Sequence, residues 1–174
     1  QTFCDYEVII VNDGSTDNSL DIVSEYAAKY GFYVIDKPNG GCYAARIDGI
    51  ERSRGEYVIN LDPDDCFVSA TVLAELDEKL RELRNPDILI YGYNEMSSDG
   101  KIIKTNLREK KSFVGNEELK SFYKKFFGTN EYNSIWSKAF KRELFSSDQI
   151  IDKRINMCED VLIFLNIIKV AMSI

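Results

Sequence analysis

The first half of the chain alternates strand-like and helix-like segments, and each strand-like segment ends in a polar loop. Continuous β-branched, apolar runs at residues 6–12, 32–36 and 56–61 predict strands. Apolar residues recur at helical spacing between these runs, and Gly31 stands in the C-cap position of the first helix. This alternation predicts an α/β fold in which a mainly parallel sheet carries helices on both faces.

The second half of the chain is less regular and predicts an antiparallel extension of the sheet. Residues 134–141 give an ambiguous pattern. The other predicted elements are a helix that Ser69 caps and that runs to about Arg84, a strand over 87–96, a hairpin turn at 98–100, a strand over 101–105, and helices over 117–127 and 159–172.

Composition excludes several classes of function. The chain contains 0 His, which rules out a Ser-His-Asp mechanism and a histidine-ligated zinc site. Its net charge of -7 argues against a nucleic-acid partner, because such partners are held mainly by lysine and arginine. The sequence contains no run of about 18 apolar residues, so no membrane span is predicted. Four scattered cysteines without a C-x-x-C pair are typical of reduced thiols in a cytoplasmic protein: Cys4, Cys42, Cys66 and Cys158.

Acidic residues cluster where two predicted strands end. Asp13 follows the first strand, and Asp62, Asp64 and Asp65 follow the third. Ligands of open α/β sheets bind at the carboxyl ends of the strands, and clustered carboxylates suit Mg²⁺ or Mn²⁺. Taken alone, the D-P-D-D segment is equally compatible with a solvated acidic turn before a helix, and that alternative is favoured for an isolated short motif.

Residues 39–41, Asn-Gly-Gly, form a loop before the second predicted helix. Glycine-rich backbone at a helix start allows a diphosphate to approach closely. The same residues also suit an ordinary tight turn, and Asp17 or Ser15 suits a helix N-cap in the loop after Asp13. Both interpretations of each loop stay open at this level.

The succession VNDGSTDNS, NGGCYAARIDGI and GEYVINLDPDD resembles the nucleotide-sugar-binding half of family 2 glycosyltransferases. The resemblance is close over residues 1–75 and looser in IWSKAFKREL and CEDVLIFLNII. It implies a Rossmann-like GT-A fold in a single domain over 1–174, with a nucleotide-sugar half at 1–75 and an acceptor half at 76–174. Members usually begin with a further strand and helix and continue past the last helix, so we expect a fold truncated at the N-terminal strand and at the C-terminus, and a fragment of weak or no activity.

The resemblance also implies donor-side roles. Asp13 would pair with the nucleotide base, and Arg46 would lie near the donor phosphates or sugar. Gly40 and Gly41 would line the donor site. The D-x-D motif supplies the metal ligands for Mn²⁺ or Mg²⁺, with Asp64 the direct ligand and two carboxylates beside it: Asp62 and Asp65.

On the acceptor side, the resemblance implies that Asp160 of the Glu159–Asp160 pair is the catalytic base. Carboxylates also favour the first turn of any helix, so position alone does not assign that role. Trp136 and Lys138 fall in a segment that resembles the acceptor-side wall, although Trp136 by itself suits an ordinary core aromatic.

The function that the resemblance implies is inverting transfer of a sugar from a nucleotide-sugar, a UDP-sugar by preference, to a glycan or lipid-linked acceptor. Such a protein would be cytoplasmic, with peripheral association at the inner face of the membrane, and a missing central strand would favour a homodimer. The alternatives are an inactive nucleotide-sugar-binding module and a structural domain whose acidic loops are surface turns.

Overall fold

The computed structural model describes residues 1–108, 112–128, 132–145 and 159–174. The helices are α1 (Ser19–Tyr30), α2 (Cys42–Arg52), α3 (Val72–Glu82), α4 (Asn116–Gly128) and α5 (Glu159–Ile168), with a 3₁₀ turn at Arg142–Leu144. The strands are β1 (Ile9–Asp13), β2 (Tyr33–Lys37), β3 (Tyr57–Ile59), β4 (Ile88–Ile90), β5 (Tyr93–Met96), β6 (Ile102–Asn106) and β7 (Lys138–Lys141).

These strands form three hydrogen-bonded groups. β1 pairs with β2 in parallel, with Ile9 opposite Tyr33. β7 lies between β3 and β4 and is antiparallel to both, and β5 and β6 form an antiparallel hairpin. The expected α/β architecture is therefore present, but parallel pairing within the described residues is confined to β1 and β2.

The central strand β7 is buried on both faces, and a different apolar cluster covers each face. Phe140 points into an aromatic-rich cluster with Phe122 of α4 and Phe164 of α5, all three at 0% exposure. Ala139 points to the opposite face, where Leu76 and other α3 residues cover the sheet. Because side chains alternate along a strand, one short strand joins both halves of the core.

Several element boundaries differ from the sequence predictions, three of them substantially. The segment 87–96 forms two strands, β4 and β5, which belong to different sheets. The helix predicted from Ser69 begins at Val72 with Thr71 as N-cap, because the Ser69 hydroxyl accepts the Thr71 N–H at 3.2 Å and forms a separate turn. The last helix ends at Ile168, and the residues after it return to pair Ser173 with Val114.

Two general expectations can be compared directly. Cys4, Cys42 and Cys66 are free thiols, as predicted, while Cys158 lies outside the described residues. Over the described part of the chain, no helix combines the length and apolar character that a membrane crossing needs.

Asp87 links the segment after α5 to strand β7. Its carboxylate accepts hydrogen bonds from Lys141 Nζ at 2.8 Å and from the Met172 N–H at 2.6 Å. Burial alone would raise the pKa of Asp87, but these hydrogen bonds outweigh it, so the pKa lies below its usual value of 3.8. The interaction therefore stabilises the fold above the pKa of the unfolded chain and is lost as pH falls through the lower folded pKa.

Asp87→Asn is expected to lower the free energy of unfolding by about 1–3 kcal/mol at pH 7, because a charge-assisted bond is lost and Lys141 keeps an unpaired charge. Urea denaturation at pH 7 and at pH 3 measures this, and the deficit should shrink at pH 3. The exposed Asp99→Asn in the β5–β6 hairpin is the control, and it should change stability much less than Asp87→Asn does. Equal deficits for both variants would contradict the role of Asp87.

Candidate active site

The loops after β1 and β2 are joined through Asp13. One carboxylate oxygen accepts the Gly40 N–H at 2.9 Å, and the other accepts the Gly41 N–H at 2.8 Å. Gly14 allows this approach, since it has φ +75° and a Cβ there would lie 2.7 Å from the Asn39 backbone nitrogen. Asp13, predicted to pair with a nucleotide base, thus fixes the glycine loop at the N-terminus of α2.

Lys37, the last residue of β2, lies beside this loop. Its ammonium is 2.6 Å from Asp48 and 3.5 Å from Asp13. The hydrogen bond to Asp48 raises the pKa of Lys37 above its usual value, so the group carries a full positive charge at neutral pH. The glycine loop therefore has the Asp13 carboxylate and the Lys37 ammonium beside it.

Arg46 lies at the centre of the site, one turn into α2. Its Nη2 donates to Asp62 at 2.9 Å. Its Nη1 donates to Glu159 at 3.0 Å and also to Asp160. The guanidinium is 12% exposed and the three carboxylates are between 21% and 28% exposed. One cation thus gathers carboxylates from the acidic loop and from the start of α5.

The carboxylate of Asp160 is held from two sides. Oδ1 accepts from Arg46, and Oδ2 accepts the Ile135 N–H at 3.1 Å. Burial raises the pKa of Asp160, while Arg46 and the Ile135 N–H oppose that rise, and the net pKa stays above the usual value of 3.8. Burial likewise raises the pKa of the Cys42 thiol, which faces the same group of charges.

The acidic loop after β3 makes a tight turn in which the Asp65 N–H donates to the Asp62 carbonyl at 3.0 Å. Burial, followed by the charges of Asp64 and Asp62, raises the pKa of Asp65. Within the ranges that the structure covers, no three acidic or cysteine side chains by themselves form a group that could hold a metal. The carboxylate oxygens of this loop do suit Mg²⁺, because that ion commonly binds one or two carboxylates and completes its coordination with water and phosphate.

Trp136 and Lys138 flank the Ile135 amide. Trp136 makes an edge-to-face contact with Tyr93, with ring centroids 4.6 Å apart, and its carbonyl accepts the Tyr91 hydroxyl at 2.8 Å. Lys138 is fully buried, with its ammonium on the Ser134 carbonyl. Trp136 therefore packs as a wall residue, whereas Lys138 lies below the surface of the site.

The structure brings most of the predicted site residues into two groups. Asp13, Gly40 and Gly41 form the first, and Arg46, Asp62 and Asp160 form the second. Asp64 and Asp65 lie exposed on the adjoining loop. Sequence reasoning missed three contributors: Lys37, Glu159 as a partner of Arg46, and the Ile135 amide.

Only part of what was missed had a sequence signal. The position of Lys37 before the Pro-Asn-Gly-Gly loop offered one, and Glu159 is adjacent to the predicted base. A backbone amide such as that of Ile135 has none, because every non-proline residue carries an N–H.

Comparison with known proteins identifies the family of the chain. The model of the family described as Glycosyl transferase family 2 matches residues 1–145. The chain belongs to glycosyl transferase family 2. It is 33% identical over 162 residues to the uncharacterized glycosyltransferase EpsJ of Bacillus subtilis, covering 92% of this chain and 46% of EpsJ. It is 30% identical over 183 residues to the cholesterol galactosyltransferase of Borreliella burgdorferi, covering 96% and 48%.

Solved structures show that this family 2 chain has the GT-A fold. S. aureus TarS 1-349 superposes with a TM-score of 0.69 at 22% identity, covering 96% of this chain and 48% of that one. The same fragment in complex with UDP gives a TM-score of 0.67 at 21% identity, with 92% and 46% covered. The chain spans about half the length of the relatives that it matches.

Arg46→Gln is expected to raise the pKa of Asp160 further, since a cation that favours the charged carboxylate is lost. An acid whose folded pKa lies above its unfolded pKa loses stabilisation as pH rises through that interval. The unfolding free energy should therefore fall by about 2 kcal/mol or more at pH 7 and by less at pH 4. Urea denaturation at both pH values tests this.

The control for that experiment is Arg81→Gln, because Arg81 is 73% exposed and pairs with Asp77 across one turn of α3. Its unfolding free energy should change by less than about 0.5 kcal/mol at either pH. An Arg46→Gln deficit that is independent of pH would show that Arg46 acts by packing alone.

Proposed function

We propose that this chain is the donor-binding and catalytic part of an inverting glycosyltransferase that moves a sugar from a nucleotide-sugar to an acceptor hydroxyl. The observation that carries the proposal is that Arg46 donates to two carboxylates at once. These are Asp62 of the D-x-D motif and Asp160, so both lie next to the same guanidinium. A donor-side group and a candidate base in one partly buried site are what a single displacement requires.

The donor would bind along the glycine loop and the acidic loop. The Gly40–Gly41 backbone lies at the N-terminus of α2, where a helix favours negative groups such as a diphosphate. Lys37 adds a positive charge beside that loop. Asp13 holds the loop through its two amides and is the proposed contact for the nucleotide's base. UDP is the proposed nucleotide because the structurally similar TarS is in complex with UDP.

Asp64, with Asp62 and Asp65 beside it, is proposed to hold Mn²⁺ or Mg²⁺ together with water and the phosphates of the donor. When bound, such an ion would supply positive charge against the departing diphosphate. In the structure Asp62 is paired to Arg46, whereas Asp64 and Asp65 are exposed and open to solvent. Asp64, exposed and central in the D-x-D motif, is the proposed principal ligand.

Asp160 is the proposed general base. It would accept the proton of the acceptor hydroxyl as the oxygen attacks the anomeric carbon from the face opposite the leaving group, which inverts the configuration. The raised pKa of Asp160 makes it a stronger base than a surface carboxylate. Arg46 and the Ile135 N–H fix the orientation of both carboxylate oxygens before the acceptor arrives.

The acceptor is proposed to be a glycan or lipid-linked glycan, with hexose or N-acetylhexosamine as the transferred sugar. Relatives named for a cholesterol acceptor and for poly(ribitol-phosphate) glucosylation support a surface-polymer or lipid acceptor in general terms. This chemistry suits a cytoplasmic protein at the inner face of a membrane, and a homodimer is part of the same proposal.

An inactive nucleotide-sugar-binding module is the second candidate. Both oxygens of Asp160 are engaged by protein groups, and both oxygens of Asp13 are engaged by backbone amides. A carboxylate held in this way can serve as a structural anchor without turnover. The module would bind the nucleotide but would be insensitive to Asp160→Asn.

Nucleotide and metal should stabilise the chain together. In the presence of Mn²⁺, UDP at about 100 times its dissociation constant adds about 2.7 kcal/mol and raises the unfolding midpoint by several degrees. Thermal unfolding with neither, either and both measures this, and Asp64→Asn should abolish the joint effect. Asp21→Asn in α1, a helix without buried residues, is the matched control and should keep the joint stabilisation by UDP and Mn²⁺. A joint effect that survives Asp64→Asn would remove Asp64 from the site.

Asp160→Asn in the full-length protein should lower kcat by about 10²- to 10⁴-fold, since the amide cannot accept the proton. The KM for the donor should change little. Steady-state assays of UDP release measure both values, with Asp77→Asn on α3 as the control. Unchanged kcat would remove Asp160 from the role of base, whereas nucleotide binding without turnover in the wild type would favour the binding-module interpretation.

A further inference from the structure

A fully buried lysine lies directly behind the proposed base. Lys138 opens the central strand β7, pairs with Ile90 of β4, and has 0% exposure. Its ammonium lies 4.7 Å from the ring centroid of Phe164, which follows Asp160 by one turn of α5. A buried ammonium is costly to keep, so its hydrogen-bond partner and neighbouring charges must compensate for the lost water.

The hydrogen-bond partner connects this lysine to the site. Lys138 Nζ donates to the carbonyl of Ser134, and the amide of Ile135 donates to Asp160 Oδ2 at 3.1 Å. The Ser134 carbonyl and the Ile135 amide belong to the same peptide unit. A planar peptide that accepts at its oxygen and donates at its nitrogen is polarised in one direction, so each bond strengthens the other.

We propose that Lys138 is a positioning residue for Asp160, acting through the Ser134–Ile135 peptide to fix and polarise the amide that holds the carboxylate. The inference rests on the proposed role of Asp160 as base. Lys138 itself is fully buried, so it would act on Asp160 through the backbone and not by touching a substrate. The segment that the sequence placed in the acceptor wall thus contributes through its backbone.

The charges around the two groups agree with this linkage. Burial, together with the nearby Arg108, lowers the pKa of Lys138 to about 7, and Asp160 opposes that fall. Over the acidic range in which Asp160 titrates, Lys138 is therefore cationic and favours the ionised carboxylate. The other titratable groups that face Asp160 among the described residues include Arg46, Glu159, Asp62 and the Cys42 thiol.

The experiment compares Lys138→Met with the wild type. Carboxyl ¹³C NMR of aspartate-labelled protein follows the titration of Asp160, with Asp160→Asn used to assign the signal. We expect the pKa of Asp160 to rise by about one unit, because the cation and the polarised amide both favour the charged form. In the full-length protein, kcat should fall about tenfold while the donor KM stays within about twofold.

Lys141→Met is the matched control, since it removes a partly buried lysine from the same strand on the side of Asp87. It should lower stability without moving the Asp160 titration or kcat. Met suits the Lys138 site because replacing a buried charge by an apolar side chain is often tolerated. Should Lys138→Met fail to fold, Lys138→Gln keeps an N–H donor without the charge, and the same directions are expected.

An unchanged Asp160 titration, or a kcat within twofold of the wild type, overturns the proposal. Its failure is distinct from failure of the proposed function. If Asp160→Asn abolishes turnover while Lys138→Met does not, the base stands and the positioning role falls. If Asp160→Asn leaves turnover intact, the catalytic proposal falls, and the NMR titration still decides whether Lys138 acts on Asp160.

Discussion

The arrangement of the site depends on one guanidinium. Asp62 and the Glu159–Asp160 pair come from distant parts of the chain, and their negative charges would repel one another in a partly buried space. Arg46 offers several donors in a fixed plane and bonds to all three. A lysine at this position would supply the charge but not the planar fork. The distance between the acidic loop and α5 is therefore set by the geometry of one side chain on α2.

The position of Arg46 follows in turn from the packing of α2. Tyr43, Ile47 and Ile50 are buried on its inner side, which leaves the turn containing Arg46 at the edge of the aromatic core. The start of the helix is fixed separately, by the two glycine amides on Asp13. Apolar burial sets the rotation of the helix, and the Asp13 contacts set its position along the axis. Both must hold for the guanidinium to reach carboxylates on two other elements.

Short sequence patterns correctly predicted the features of the fold that neighbouring residues determine. The acidic loop at 62–65 and the glycine loop at 39–41 were placed at strand ends because β-branched runs and turn residues report backbone structure over a few positions. The Arg46 contacts span 113 and 114 positions to Glu159 and Asp160, and no pattern in one sequence encodes them. The division of 87–96 into β4 and β5 was missed for a related reason, since Gly92 interrupts an otherwise continuous strand pattern and only tertiary pairing separates its halves.

Opposing effects on Asp160 give it properties that a surface carboxylate lacks. Burial favours the neutral acid, whereas Arg46 and the Ile135 amide favour the ion, and the balance leaves a raised pKa. Complete burial without those partners would leave the group protonated at neutral pH, and full exposure would leave it a weak base. The raised pKa of Asp160 is thus the outcome of burial acting against these two partners. The cluster on Arg46 and the peptide before Ile135 supply them from opposite sides, so the proton affinity of this carboxylate depends on three elements and not on its own helix alone.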